Sequence, residues 1–337
     1  MIVGFPHHSP PNGGPGTFQT VFMEGLLQRG HSVTYPHEAS KPDVVLVVGG
    51  TRRLAWLARC KRRRIPIVHR LDGLNWRYRV QNLGWRRSIM PALRNQVLHV
   101  IRDGFADYVV YQSEFIRDWW HRECNAAPCA ESVVLNATNT SYFRPRRDAV
   151  DRSSPSLLVV EGNVQTDAAS MLCLESVSSR LIERGVIKET LVCGGLDAQG
   201  QELIAHARGV AYLGRVARQE MPGVYNRADL FLSLEINAPC PNSVIEAMAS
   251  GLPVVGYAMG ALPELVGRTG GILAEYGGDP WELDLPDIDA LVSAAEQVIA
   301  RHTEYRRGAR ERAVEVLNLD RMVDEYIRIF ESVALRV

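Results

Sequence analysis

The stretch from Ala228 to Val255 constrains the fold more than any other part of the chain. Ala228-Asp-Leu-Phe-Leu-Ser-Leu234 is a short apolar run of the kind that forms a buried strand. Asn237 to Pro241 is turn-rich, with Pro239 and Pro241 breaking any regular structure. Asn242 or Ser243 can cap the short helix that Val244 to Ser250 predicts. Gly251 stands where a helix ends on a left-handed residue, and Leu252-Pro-Val-Val255 begins another strand. Strand, tight loop, helix and strand is the repeating unit of a parallel sheet, because parallel neighbours require a crossover helix. A helix N-terminus behind a short loop at the carboxyl edge of such a sheet is a ready anion site. Glu246 lies about one turn into that helix, just beyond where a phosphate would rest. The pattern suits a nucleotide, with phosphate on the N–H groups and ribose hydroxyls on the carboxylate.

Similar units recur on both sides. Met1 to Pro6 is a short apolar strand, followed by a loop carrying Gly13, Gly14 and Gly16 and then helical spacing from Thr17 to Arg29. Asp43-Val-Val-Leu-Val-Val-Gly-Gly50 is nearly all apolar, the mark of a strand covered on both faces. Leu54 to Arg64 is helical. Ile65-Pro-Ile-Val68 then ends in His69-Arg-Leu-Asp-Gly-Leu-Asn-Trp76, polar groups leaving the carboxyl end of a strand, where α/β domains keep their ligands. Arg146 to Ser156, charged and rich in serine, reads as a linker. A second series begins at Leu157-Leu-Val-Val160, continues through Thr190-Leu-Val-Cys-Gly-Gly195 and Val210 to Val216, and ends in amphipathic helices. The last of these, Asp320 to Ala334, places Met322, Tyr326, Ile329 and Phe330 on one face.

Length and composition fit two ordinary domains. The 337 residues can build two cores, and 46% hydrophobic with 23% charged residues is a globular composition. The net charge of zero hides an asymmetry: residues 1–148 hold 21 Lys+Arg against 11 Asp+Glu, and residues 149–337 hold 17 against 27. Any anionic partner besides a nucleotide therefore belongs with the first half. No apolar run reaches the length of a membrane span, and Met1-Ile-Val-Gly-Phe-Pro lacks the basic start of a signal peptide. Cysteines 60, 124, 129, 173, 193 and 240 form no Cys-x-x-Cys pair and no metal-ligand spacing. The expectation is a cytoplasmic protein with reduced thiols, peripheral attachment at the inner membrane face being one use for its basic half.

Cys240-Pro-Asn-Ser-Val-Ile-Glu-Ala-Met-Ala-Ser-Gly-Leu-Pro-Val-Val255 resembles the donor-binding signature of the retaining GT-B glycosyltransferases of family 4. In that family a Pro-x-x-x-Glu-Ala-x-Ala-x-Gly-x-Pro-Val-Val segment binds the nucleotide sugar. The first strand, glycine loop, helix and Arg29-Gly-His-Ser-Val33 resemble the opening unit of the same enzymes, and Val133 to Pro145 is similar to the segment leading into their second domain. The resemblance covers essentially the whole chain. It implies an α/β GT-B fold, with two Rossmann-like domains whose parallel sheets face each other across a cleft. The domains would be 1–148 on the acceptor side and 149–318 for the nucleotide sugar, with a 319–337 helix packing back toward the first. The implied reaction moves a sugar, with retention, from a nucleotide diphosphate sugar to the hydroxyl of a sugar, glycolipid or polysaccharide acceptor. Polysaccharide or glycolipid biosynthesis is the setting. No cofactor and no metal are expected, since the family meets the diphosphate charge with amides and cations. A nucleotide-sugar 2-epimerase of the same fold and a catalytically weakened nucleotide-sugar-binding protein are the alternatives.

Roles follow residue by residue. Glu246 would accept both ribose hydroxyls. Asn242 and Ser243 would face the diphosphate, with Pro241, Cys240, Gly162, Asn163 and Glu235 also on the donor side. Arg215 would lie near the base or phosphates. Gly13, Gly14, Gly16 and Thr17 would form the glycine loop beside donor and acceptor. His69, Arg70 and Asp72 are the catalytic candidates, for contact with the transferred sugar, the diphosphate charge or the acceptor hydroxyl. Trp76, Trp85, Trp119 and Trp120 suit core packing, with stacking on sugars as the other reading. The arginine groups at 52–53, 61–64, 77–79 and 86–87 suit solvated faces, an anionic membrane or a charged acceptor; no nucleic-acid module accompanies them. Two departures from the family stand out. Ala238 occupies the place of a sugar-contacting glutamate, and the loop Gly162 to Asp167 carries no Lys or Arg.

Overall fold

The computed structural model describes residues 1–8, 13–81, 85–146, 154–164 and 168–335. The chain divides into two compact units, Met1–Asn136 with Leu319–Val337, and Ala137–Asn318. In the first unit the order is β1 (Ile2–Gly4), α1 (Gly14–Gln28), β2 (Ser32–Thr34), β3 (Val44–Val48), α2 (Leu54–Arg62), β4 (Ile67–Leu71), α3 (Arg77–Val80), α4 (Trp85–Gly104), β5 (Tyr108–Tyr111), α5 (Glu114–Cys124) and β6 (Ala130–Val133). The second unit holds β7 (Ser156–Asn163), α6 (Ala168–Glu183), β8 (Glu189–Gly195), α7 (Ala198–His206), β9 (Val210–Gly214), a 3₁₀ turn at Arg218–Glu220 and α8 (Met221–Tyr225). It continues with β10 (Leu230–Leu232), α9 (Asn242–Ala249), β11 (Val254–Tyr257), α10 (Leu262–Val266), β12 (Gly271–Ala274), α11 (Ile288–Ala300) and α12 (His302–Val316). The closing helix, α13 (Leu319–Ala334), belongs to the first unit.

Each unit has one six-stranded, wholly parallel sheet. The orders are β2-β1-β3-β4-β5-β6 and β12-β11-β10-β7-β8-β9. Covered faces account for the sequence: all five residues of β3 are buried, as its unbroken Val-Leu run requires. In the second sheet the chain starts at β7, winds outward to β9, then crosses back to β10 beside β7. The strand order reverses there, so the loops leaving β7 and β10 diverge and open a crevice at their carboxyl ends.

Helix α13 is amphipathic at the 3.6-residue period, burying Met322, Val323, Tyr326, Ile329, Phe330 and Val333. It packs on α1, where Tyr326 meets Phe22 at 4.8 Å and Phe18 at 5.7 Å between ring centroids. Each such aromatic pair adds about 0.5–1.5 kcal/mol beyond its buried area. Gly25 permits the approach, since a Cβ there would stand 2.6 Å from Val323. Arg29 bridges Asp320 and Asp324, both at 2.9 Å, on the exposed rim, and contributes little beside the aromatic contacts.

Several boundaries differ from expectation. Helix α1 begins at Gly14, not Thr17, with Pro15 in its first turn and Gly13 (φ 94°) before it, so Gly14, Gly16 and Thr17 are helical and not loop. The second unit begins at Ala137, not 149. Its first residues are tied down there: the Thr138 amide donates to the Leu317 carbonyl (3.0 Å), and Arg310 donates to the carbonyls of Thr140 and Phe143 (both 3.0 Å). Most of the expected linker, 147–153, lies outside the described residues. Helix α9 has Pro241 at its N-cap with no side-chain cap bond, so neither Asn242 nor Ser243 caps it. Among the described residues no helix is long and apolar enough to cross a membrane, and no group of three or more His, Cys, Asp or Glu side chains could hold a metal.

Candidate functional site

The switch point of the second sheet brings together the residues with unspent polar capacity. Glu246, on the second turn of α9, is 6% exposed. Its Oε1 accepts from Arg218 Nη1 at 2.8 Å, and its Oε2 accepts from the Tyr225 hydroxyl at 3.1 Å. Burial pushes its carboxyl above the ordinary range, and Arg218, then Tyr225, pull it back. Burial and the neighbouring carboxylate push the Tyr225 phenol well above its usual value, so it remains an O–H donor. An ionised carboxylate offers about four acceptor positions. Among the described residues two are filled, which leaves two.

Arg218 sits on the 3₁₀ turn, and the path from Leu213 to Met221 aims it inward. Its guanidinium lies 5.5 Å from the Phe143 ring, which also meets Tyr225 edge-on at 5.8 Å. The Tyr142 hydroxyl donates to the Gln219 carbonyl at 3.0 Å and pins the turn. Sequence reasoning missed Arg218, Tyr225 and Phe143. They stand 28, 21 and 103 positions before Glu246, and no local pattern links them.

The loop from β10 to α9 is mostly interior. Cys240 and Pro241 are buried and shape the turn, so their side chains do not present themselves to a donor as expected. Asn237 takes a left-handed φ of 52°. Ala238 is 0% exposed, its carbonyl accepts from Ala261 N at 2.8 Å, and Gly260 lies so close that a Cβ there would meet Ala238 N at 2.6 Å. Glu235, Asn242 and Ser243 are half-buried at the rim. The first-turn amides of α9 have no intrahelical acceptor, and the dipole adds a partial positive charge, so anion affinity survives without a side-chain cap.

Beside this loop, a depression of about 560 Å³ opens at the carboxyl ends of β7, β8 and β9, lined by Asn163, Gly195, Asp197, Gln201, Tyr212 and Arg215. The exposed Arg215 lies across Gly195, where a Cβ would stand 2.4 Å from Nη2. Gly162 and Asn163 are exposed at the end of β7, and Gln165–Asp167 lie outside the described residues. A second depression of about 410 Å³, between Pro155, Asp229 and the α11–α12 turn, sits at the amino ends of the strands, the opposite edge from the switch point.

The first unit treats its candidates differently. Arg70, 1% exposed at the end of β4, donates to Asp72 (2.5 Å), Gln112 (2.6 Å) and Asn136 (2.7 Å) and stacks over Phe18 at 3.9 Å. His69 is fully buried; its Nε2 donates to the Gly49 carbonyl at 2.8 Å, and burial lowers its pKa to about 4. Both side chains brace the sheet, and the direct sugar or phosphate contact expected of them has no exposed atom to make it. Asp72, 23% exposed, alone of the three reaches solvent. Trp119 and Trp120 are core residues, Trp120 donating from Nε1 to the Asp72 carbonyl at 2.9 Å. Trp76 is half-buried with Arg77 over its ring at 5.7 Å, and the Trp85, Arg86 and Arg87 side chains lie outside the description.

Residues 155–301 match the family described as "Glycosyl transferases group 1". The match lies within the second unit and covers less than half of the chain. The group 1 segment contains α9, Glu246, Arg218, Tyr225 and the depression at Arg215. A curated relative, the MMP alpha-(1->4)-mannosyltransferase of Mycolicibacterium hassiacum, is 26% identical over 215 residues, covering 61% of this chain. The chain spans about half (49%) of that relative's length. Sucrose-phosphate synthase from Thermosynechococcus elongatus has a similar fold, with a TM-score of 0.74 at 16% identity over 100% of this chain and 99% of that one. Anabaena Alr3699/HepE, solved in complex with UDP-glucose, gives 0.69 at 15% identity over 98% and 100%. At these identities the likeness is one of fold, and the fold is of GT-B type: two α/β units, each with a parallel six-stranded sheet.

Proposed function

We propose that the chain moves a sugar, with retention, from a nucleotide diphosphate sugar to an acceptor hydroxyl, in building a polysaccharide or glycolipid. One observation carries this reading: Glu246, buried behind the N-terminus of α9 at the switch point, has one partner on each carboxylate oxygen and keeps two acceptor positions open. Two acceptors on one carboxylate suit the two hydroxyls of a ribose. The α9 amides suit a diphosphate next to it, with Asn242 and Ser243 at the rim and Arg215 adding charge from the β9 side. The complex of HepE with UDP-glucose makes a uridine diphosphate sugar a reasonable first donor to try, and the mannosyltransferase relative makes mannose a sugar to include.

Departure of a nucleoside diphosphate needs stabilised negative charge and a close acceptor rather than a nucleophile. Arg70 is committed to Asp72, so that charge falls to the α9 amides and Arg215, and no metal is invoked. The departing phosphate takes the acceptor proton, and Asp72, with solvent access, orients the acceptor. The buried His69 argues against an acid–base epimerase. The exposed Arg52, Arg53, Lys61, Arg62, Arg63 and Arg64 provide a surface for an anionic membrane bearing a lipid-linked acceptor.

A binding protein without transfer is the second reading, favoured by the buried Ala238 in place of a sugar-contacting carboxylate. NMR of the anomeric signal, with a panel of UDP, GDP and ADP sugars and simple sugar acceptors, separates the two. Retained configuration in the product, undiminished by EDTA, is the expected result. Tight binding with neither transfer nor hydrolysis would favour the second reading, and no binding of any donor would overturn both.

A further inference from the structure

Glu246 poses a problem that the rest of the donor site does not. Burial pushes a carboxyl that is 6% exposed toward the neutral acid, and a neutral acid loses acceptor capacity when it gains a proton. Its function as a two-hydroxyl acceptor depends on a neighbour that keeps it charged without filling the positions it must offer. Arg218 is the charged group in reach. Its Nη1 touches Oε1 alone, at 2.8 Å, while the Tyr225 hydroxyl takes one position on Oε2 at 3.1 Å. A bidentate arginine clamp would have used both oxygens. The groups around this single-point contact are Phe143, whose ring centre lies 5.5 Å from the guanidinium, and Tyr142, whose hydroxyl donates to the Gln219 carbonyl of the same turn.

We infer that Arg218 is the positioning residue of the donor site, holding Glu246 ionised and turned so that one acceptor position on each oxygen stays open to a vicinal diol. The inference rests on the nucleotide reading of Glu246 and adds a residue that the glycosyltransferase signature in 240–255 does not contain. Other groups near the carboxylate do not substitute for Arg218. Tyr225, from α8, is uncharged, and beyond it the Cys193 thiol of β8 is held protonated by burial. Arg310, from α12, reaches only the far end of α9, donating to the Ala249 carbonyl at 2.6 Å.

The sign of the effect is fixed by the geometry. Loss of the Arg218 charge leaves burial unopposed except by Tyr225, so the Glu246 carboxyl rises further. Nucleotide affinity then begins to fall at a higher pH than it does in the unaltered protein. A conservative lysine restores the charge, though not the planar guanidinium beside Phe143.

The test reads the carboxyl and the ligand separately. Protein labelled with ¹³Cδ-glutamate is titrated by NMR, the Glu246 signal being assigned by its loss in Glu246→Gln, while UDP and GDP affinities are measured by calorimetry from pH 5 to 8. Arg218→Gln should raise the Glu246 midpoint by about one unit or more and weaken nucleotide binding about tenfold at the acid end. Arg218→Lys should recover most of both, and melting curves of all variants should show cooperative folding. If Glu246→Gln weakens binding while Arg218→Gln leaves midpoint and pH profile on those of the unaltered protein, the positioning role is wrong and the nucleotide reading stands. If Glu246→Gln changes neither UDP nor GDP affinity, the nucleotide reading itself fails and the role of Arg218 in it falls too.

Discussion

Two buried charges stand at the carboxyl ends of strands in this molecule, and they are wired in opposite ways. Arg70, leaving β4, donates to a carboxylate and two side-chain amides and stacks on Phe18, so its charge is spent inside the first unit. Glu246, on the helix after β10, has a cation on one oxygen and a phenol on the other and retains half its acceptor positions. Burial and location are shared; residual capacity differs, since Arg70 keeps only its buried Nε without a partner and Glu246 keeps two acceptor positions. A buried charge at the ligand edge of a sheet therefore marks a site by how much its partners leave unmet.

The comparison can be broken from either side. The largest effect on stability should come from Arg70→Ala, which strands Asp72, Gln112 and Asn136. Denaturant unfolding should show a loss of about 3–5 kcal/mol, with nucleotide affinity of the folded protein unchanged. Weakened binding without lost stability would make Arg70 a ligand group after all. Next comes His69, whose folded pKa of about 4 lies below its ordinary 6.5. The unfolded chain takes up the proton first as pH falls, so the stabilisation is full above 6.5 and is lost progressively down to about 4. The difference is about 3 kcal/mol, and it should vanish in His69→Asn.

A smaller effect, about 1–3 kcal/mol of destabilisation, is expected from Ala238→Glu, which forces a larger side chain against Gly260 in a closed turn. Donor-sugar affinity should not improve. A stable, tighter-binding variant would mean that the missing carboxylate can be restored. Smallest is Arg215→Ala. This exposed cation should contribute about 0.2–1 kcal/mol to nucleotide diphosphate affinity, detected as a modest rise in Kd that disappears at high salt.

Much of the fold was legible because strands covered on both faces announce themselves. Val44–Val48, Leu157–Val160 and Leu230–Leu232 are apolar runs of strand length, and the turn residues around Pro241 and Gly251 bracket α9. Helix α4 was not read, since Pro91, which lies inside the helix, and the basic Trp85–Arg87 interrupt its period. The start of α1 was misplaced for a related reason: Gly14 and Gly16 suggest loop, while Pro15 at the helix start is itself a start signal. At the site, Glu246 follows from local spacing, but Arg218, Tyr225 and Phe143 converge on it only through tertiary packing. For His69 and Arg70 the sequence indicated the correct strand end, and packing then decided that both point inward.

The account turns on Glu246 as the ribose acceptor, and isothermal titration of Glu246→Gln with UDP and GDP tests this most directly. The substitution keeps the side-chain shape and removes the charge that two hydroxyls would meet, each such bond contributing about 1.5–3 kcal/mol. The predicted result is a hundredfold or greater rise in Kd, on the order of 3 kcal/mol, in a protein that still melts cooperatively. An unchanged Kd for the nucleotide that the unaltered protein binds would contradict the account.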